Sequence, residues 1–138
     1  MLIRFFDIFF SFLAIFFLLP LFAPIVLILR FTGEKEIFYK QERVGRHGTP
    51  FALLKFATML KKSPLIGAGE ITVKNDPRVL PFGRFLRKTK INELPQLINI
   101  LFGQISIVGP RPMVPNTFLK YSPKAQLELK KVRPGLTG

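Results

Sequence analysis

RFLRKTKINELPQLINILFGQISIVGPRP, residues 84–112, is the stretch around which the rest of the chain can be organised. It holds a basic segment, a helix start with an acid in its first turn, and a proline-bracketed arginine. Asn92 is a good N-cap, because its side chain can accept from the open amides of the turn that follows. Glu93 then falls in that first turn, where the helix dipole favours a negative charge by roughly 0.3–1 kcal/mol. Pro95 is tolerated so early because amides there have no intrahelical acceptor to lose. Leu94, Leu97, Ile98 and Leu101 recur at i, i+3, i+4 and i+7 and predict one apolar face, with Gly103 closing the helix. On these residues alone a purely structural helix is the simpler reading.

A chain of 138 residues supports one modest domain, part of it taken up by a membrane segment. Lys and Arg number 21 against 8 acidic residues, a formal net charge of +13. That excess suits nucleic acid, an anionic membrane surface or a phosphate-rich substrate. With 16 Phe, no Trp and a strongly apolar beginning, the membrane is favoured and nucleic acid is not expected. Cysteine is absent, which excludes disulfides, thiolate metal sites and a cysteine nucleophile. Residues 8–29 carry no charge and are flanked by Arg4 and Arg30. About 20 residues at 1.5 Å each cross a hydrocarbon core of roughly 30 Å. The run is too long for a signal peptide and lacks a small-x-small cleavage site. Hydropathy alone favours a spanning helix. Pro20 and Pro24, however, each remove a helix hydrogen bond, and basic residues at both ends give the positive-inside rule no direction. The expectation is a re-entrant hairpin bent at the prolines, with Asp7, close to Arg4, near the headgroups and able to pair locally.

Residues 31–36 form a polar loop containing Gly33. Residues 37–44 and 49–56 read as strands around a GRHG turn. No Walker spacing follows those glycines, and His47 reads as a solvated turn residue. A linker with Pro64, Gly67 and Gly69 covers residues 61–70, and Asn75-Asp76-Pro77 is a turn before Arg78. A helix over residues 82–89 would place Phe82, Phe85, Leu86 and Thr89 on one face and Arg84, Arg87 and Lys88 opposite. Such a helix can lie on an anionic interface, at roughly 1 kcal/mol per nearby Lys or Arg. A core face with a solvated basic side fits the same periodicity. Residues 105–108 are β-prone. Pro110 and Pro112 then fix the backbone around Arg111, lowering the entropy lost when a guanidinium is presented to a phosphate; a rigid surface turn is the alternative. Ser122 as N-cap and Pro123 at the first position start a helix running to Lys131.

LRKTKINELPQLINIL followed by GQISIVGPRP resembles the signature of the bacterial sugar transferases, the small monotopic phosphoglycosyl transferases, which reads LRxxSLDELPQ, a spacer, then SxVGPRP. The hairpin is similar to the family's FxQxRxGxxGxxFxxxKFRTM, with Ala57 where the family has arginine. The resemblance implies an α+β, helix-dominated fold. A re-entrant membrane helix-break-helix (1–31), its break at Ala23-Pro24 where the family commonly has Ser-Pro, precedes a cytosolic-face domain (32–138) with a β-hairpin and amphipathic interfacial helices. Because the family continues past the RPGLTG motif, the chain is expected to lack the family's C-terminal part, and with it some cover for apolar surface.

The implied reaction moves a sugar phosphate from a nucleotide-diphosphate sugar to a membrane polyprenyl phosphate, releasing a nucleoside monophosphate. It serves glycoconjugate or exopolysaccharide synthesis at the bacterial inner membrane. Attack on a diphosphate meets the repulsion of its charges, so cations and a metal come first in such a site. Lys55, Arg78, Arg87 and Arg111 are the candidate phosphate ligands. Mg²⁺ is the implied metal, with Glu93 as its carboxylate. In the family the aspartate beside that glutamate resembles a covalent nucleophile, and here Asn92 occupies its place. A membrane-bound homologue that binds or scaffolds without turnover is therefore the second expectation. The identity of the sugar and of the nucleotide, and the oligomeric state, are not encoded in these motifs.

Overall fold

The computed structural model describes residues 1–32, 35–59 and 76–137. In chain order they form α1 (Leu2–Phe31), β1 (Phe38–Val44), β2 (Pro50–Phe56), α2 (Pro81–Lys88), α3 (Gln96–Leu101), β3 (Ser106–Val108), α4 (Pro115–Leu119), α5 (Pro123–Lys130) and β4 (Gly135–Thr137). Single helical turns at Arg46–Gly48 and Ile91–Glu93 complete the set. Helix predominates, as expected, and the β-hairpin is present, with β1 and β2 joined through the Arg46–Gly48 turn. The expected linker over residues 61–70 lies outside the described residues.

The chain divides into two compact units. The first comprises Met1–Leu18, Lys40–Leu54 and Pro95–Gly138; the second comprises Leu19–Tyr39 and Lys55–Leu94. In the first, Phe51, Leu53, Leu97, Ile100 and Ile105 form the core, with Ala14, Ile15 and Leu18 of α1 packed against it. Strand β3 pairs in parallel with β4, Ser106 opposite Gly135 and Val108 opposite Thr137. That strand makes use of the C-terminal GLT segment, whose pairing carried no periodic signal. Ser122 caps α5 by accepting from the Ala125 amide at 3.2 Å, as its sequence predicts. In the second unit Ile25 and Leu29 of α1 join Phe56 and Leu86, with Phe22, Val26, Ile37, Phe82 and Ile91 around them. Leu86 is fully buried, worth about 1.5–3 kcal/mol for a side chain of its size.

Helix α1 differs from expectation in two respects. It is assigned as one helix through both Pro20 and Pro24, so Ala23-Pro24 does not interrupt it. Asp7, moreover, does not pair with Arg4. The Asp7 carboxylate is buried and accepts from the Ser106 hydroxyl (2.6 Å) and the Ile107 amide (3.1 Å). The Arg4 guanidinium donates instead to the carbonyls of Ile100 and Leu101, the latter at 2.6 Å, at the C-terminal end of α3. Those terminal carbonyls lack intrahelical donors and accept from the cation, while the Asp7 carboxylate is already engaged by Ser106 and Ile107. Other α1 side chains, Phe5, Phe9, Phe12, Phe16 and Phe17 among them, are exposed. By length and composition the helix is apolar enough to cross a membrane.

The predicted N-cap at Asn92 is also not formed. Lys90 takes a left-handed conformation (φ 64°), which turns the chain into the separate Ile91–Glu93 turn with Asn92 buried inside it. Pro95 occupies the cap position of α3, which has no side-chain cap. The buried face of α3 is Gln96, Leu97, Asn99 and Ile100 rather than Leu94, Leu97, Ile98 and Leu101. Asn99 is the cause: its Oδ1 accepts from the Leu54 amide (2.9 Å) and its Nδ2 donates to the Ala52 carbonyl (2.8 Å), pinning α3 to β2. Gly103 does close the helix, with φ +80°.

Replacing Asp7 by Ala strips the acceptor from a buried hydroxyl and an amide. The expected loss is about 1–3 kcal/mol of stability, read as a lower denaturation midpoint in detergent.

Candidate functional site

Four of the predicted site residues, together with Asn92, fall within the second unit. The local architecture begins where β2 ends. Lys55 is followed by Ala57-Thr58-Met59; the Thr58 carbonyl accepts from the Leu80 amide at 2.8 Å, and Met59 bridges to Val79. Pro81 then opens α2, and Gly83 brings the helix directly against Thr58. A Cβ at Gly83 would lie 2.2 Å from the Thr58 carbonyl oxygen. One helical turn later, Arg87 donates from Nη1 to the Thr58 hydroxyl at 3.0 Å. Arg87 was expected with Arg84 and Lys88 on the basic face of this helix, turned to an anionic interface. It is half-buried, because the Gly83 contact rotates it inward, whereas Arg84 and Lys88 are exposed.

Asp76 and Arg78 form a buried ion pair. The Arg78 Nε donates to Asp76 Oδ1 at 2.9 Å and Nη2 to Oδ2 at 2.5 Å, while the Arg78 amide also donates to Oδ1 at 3.0 Å. Hydrogen bonding to Asp76 holds the Arg78 guanidinium above the ordinary arginine value despite its burial. Arg87 moves the other way. Burial lowers it, the charges of Asp76 and Glu93 oppose that shift, and Arg78 adds to it. The Lys55 ammonium stands 3.8 Å from the Glu93 carboxylate, an ion pair at longer than hydrogen-bond range. Among the described residues, Lys55, Arg78 and Arg87 thus gather with Asp76 and Glu93. Asn92, next to Glu93, is 7% exposed and adds no charge.

Arg111 belongs to the first unit and is exposed. Its loop is held from three sides. Gly109 donates to Thr137 (3.0 Å), Gly135 donates to the Pro110 carbonyl (2.9 Å), and Arg43 donates to the Pro112 carbonyl (2.8 Å). The two prolines therefore have help in presenting Arg111. His47 is exposed in its turn, as expected.

Sequence reasoning missed Thr58, Asp76 and Gly83 as organising residues. A glycine inside the predicted helix was an available signal, since it costs about 1 kcal/mol there against Ala and so implies a packing reason. Asp two residues before Arg, at a turn, was the other.

The sequence matches the family described as bacterial sugar transferase over residues 1–138. It is similar to the exopolysaccharide production protein ExoY of Sinorhizobium fredii, 39% identical across 98% of this chain and 66% of that protein. It also resembles the undecaprenyl-phosphate galactose phosphotransferase of Salmonella typhimurium, 37% identical across 84% of this chain and 28% of that protein. A third relative is the undecaprenyl-phosphate glucose phosphotransferase of Komagataeibacter xylinus, 34% identical across 98% and 26%. The chain thus spans less than two thirds of the length of each of these relatives.

Substituting Ala at Gly83 forces α2 away from Thr58. The expected result is about 1–3 kcal/mol of lost stability together with weaker anion binding as Arg87 is displaced. Denaturation and nucleotide-sugar titration on the same sample check both.

Proposed function

Because the chain belongs to the bacterial sugar transferase family, we propose that it binds a nucleotide-diphosphate sugar and transfers sugar phosphate to a membrane polyprenyl phosphate. The observation that carries this reading is the gathering of Lys55, Arg78 and Arg87 with Glu93 and Asp76 among the described residues. Arg78, immobilised by Asp76, acts as a fixed charge for the diphosphate. Arg87, partly desolvated and held by Thr58, is a second guanidinium placed to meet a phosphate. Arg111 is a further phosphate ligand.

In the covalent route a carboxylate oxygen attacks the sugar-bearing phosphorus. The bond to the bridging oxygen breaks, and nucleoside monophosphate leaves. An oxygen of polyprenyl phosphate then attacks the same phosphorus and releases the carboxylate. An amide cannot serve as that nucleophile, because its lone pair is delocalised and it carries no charge. Asn92 therefore leaves Glu93 as the adjacent carboxylate, and covalent turnover by the native chain is low or absent while binding is retained. This substitution is also what favours the second reading, a binding homologue without turnover.

Among the described residues no group of three His, Asp or Glu could hold a metal. Asp76 is engaged by Arg78. A Mg²⁺ site leaning mainly on the donor's own phosphate oxygens, with Glu93 as the protein carboxylate, fits this donor set. When bound, the ion would neutralise charge on the diphosphate.

Nucleoside monophosphate release, measured with and without polyprenyl phosphate over a panel of nucleotide-sugars, tests the reading. Asn92→Asp is expected to raise release at least tenfold, and Glu93→Gln to abolish the native rate. Brisk native turnover unchanged by Asn92→Asp would remove position 92 from the chemistry.

We also infer that α1 holds the protein on one face of the bacterial inner membrane, on the cytosolic side. The support is that both halves of the helix pack in the cores of their own units while its remaining faces expose large apolar side chains. Single cysteines at Leu2 and Lys35, in a chain otherwise free of cysteine, should label from the same side of oriented vesicles. Labelling from opposite sides would show a spanning helix.

A further inference from the structure

The first unit contains a basic cavity that the transfer chemistry does not use. It has a volume of about 310 Å³, and Arg46, His47, Phe51, Gln104 and Arg133 are among the residues that line it. That volume is at the lower end of the roughly 300–1,000 Å³ typical of ligand sites. Among the described residues no carboxylate lines it. The acidic residues of this unit are Asp7, bonded to Ser106 and Ile107; Glu128, paired with Lys131 at 2.8 Å; and Glu42 on β1.

Gln104 completes the donor set by a chain of fixed polarities. The Leu54 amide can only donate, so Asn99 must present its oxygen there and its NH₂ to Gln104, at 2.6 Å. Gln104 accepts with its carbonyl oxygen, leaving its own NH₂ as the end that can donate to a ligand. The cavity thus offers two guanidinium groups, an imidazole and an amide donor above the apolar floor of Phe51. It selects an anion with several acceptor oxygens, which is the chemistry of a phosphate group.

We propose that this cavity is a phosphate-binding site, distinct from the Lys55–Arg87 cluster, that takes the headgroup phosphate of an anionic phospholipid. The lipid source follows from its rim. Phe102, beside Gly103, is 76% exposed, and Arg4 of α1 reaches to 3.4 Å from where a Gly103 Cβ would lie. The first turns of α1 carry the exposed Leu2, Ile3, Phe5 and Phe6 in the same unit. Apolar surface of that kind next to a cationic cavity suits the headgroup level of a bilayer.

The test uses the full chain in non-ionic detergent, following the shift of its thermal midpoint as ligand is added. One arm titrates phosphatidylglycerol into the micelles, and the other titrates inorganic phosphate. Arg46→Gln, at an exposed position that leaves folding untouched, and Arg46→Gln/Arg133→Gln are compared with Lys120→Gln/Lys124→Gln, which removes equal charge elsewhere in the unit. The cavity pair is expected to weaken apparent phosphatidylglycerol affinity at least tenfold, Arg46→Gln alone at least threefold, and the remote pair less than twofold. A cavity-dependent response to inorganic phosphate equal to that of the lipid would keep the phosphate site but overturn the lipid source. Equal losses for the cavity and remote pairs, or no cavity-dependent response in either arm, would overturn the site.

Discussion

Burial along α1 is the contact on which both cores depend. Ala14, Ile15 and Leu18 complete the core of one unit, and Phe22, Ile25, Val26 and Leu29 that of the other. Within each set residues recur three and four positions apart, with adjacent pairs at Ala14-Ile15 and Ile25-Val26, the pattern of a helix face. Asp7 and Ser11 precede them at the same intervals and are buried. A helix serving only as a lipid anchor has no reason to keep an aspartate and a serine at those positions. Here they lie on the protein side, where Asp7 has an amide and a hydroxyl to accept from. Arg4 is likewise engaged with carbonyls at the end of α3, so counting it as a topology-setting charge overstates the symmetry of the flanks.

A similar economy of partners governs the cationic cluster. Two carboxylates accompany three cations, but they do different work. Asp76 is tied to Arg78 through both carboxylate oxygens and is buried with it, so its charge is largely cancelled locally. Glu93 is more exposed and stands off from Lys55, so it retains freedom to meet a ligand. The guanidinium that feels both carboxylates is Arg87, whose burial already disfavours its charge. Its position is dictated by backbone contact between Gly83 and Thr58, a steric constraint rather than an electrostatic one.

What could be read from residues alone divides along physical lines. The hairpin, the basic helix, the Ser122 cap and the closing Gly103 were legible because each rests on short-range rules: alternation, periodicity, capping and positive φ. Asp7, Asn99 and β4 were not. Each depends on a partner between 45 and 100 positions away or on parallel pairing across two helices. The Asn92 cap failed for a narrower reason. Propensity favoured it, but Lys90 adopts a left-handed conformation that residues other than Gly, Asn and Asp seldom take, and the turn that follows absorbs Asn92. Of the candidate site, the cations Lys55, Arg78 and Arg87 were picked out by type and motif, while Thr58, Asp76 and Gly83, which hold two of them in place, were not.

That failure changes the meaning of the Asn92 substitution. Were Asn92 a cap, Asn and Asp would be nearly interchangeable there and the exchange would be structurally silent. Buried in the Ile91–Glu93 turn, it is better judged by its charge. Among the described residues, a carboxylate at this position would set three negative groups against Lys55, Arg78 and Arg87, whereas an amide leaves Asp76 and Glu93 against the same three cations. Under the proposed covalent route, an amide at position 92 would remove a nucleophile and at the same time one negative charge that opposes an anionic ligand. Binding and turnover would then be pulled in opposite directions by one exchange at a buried side chain.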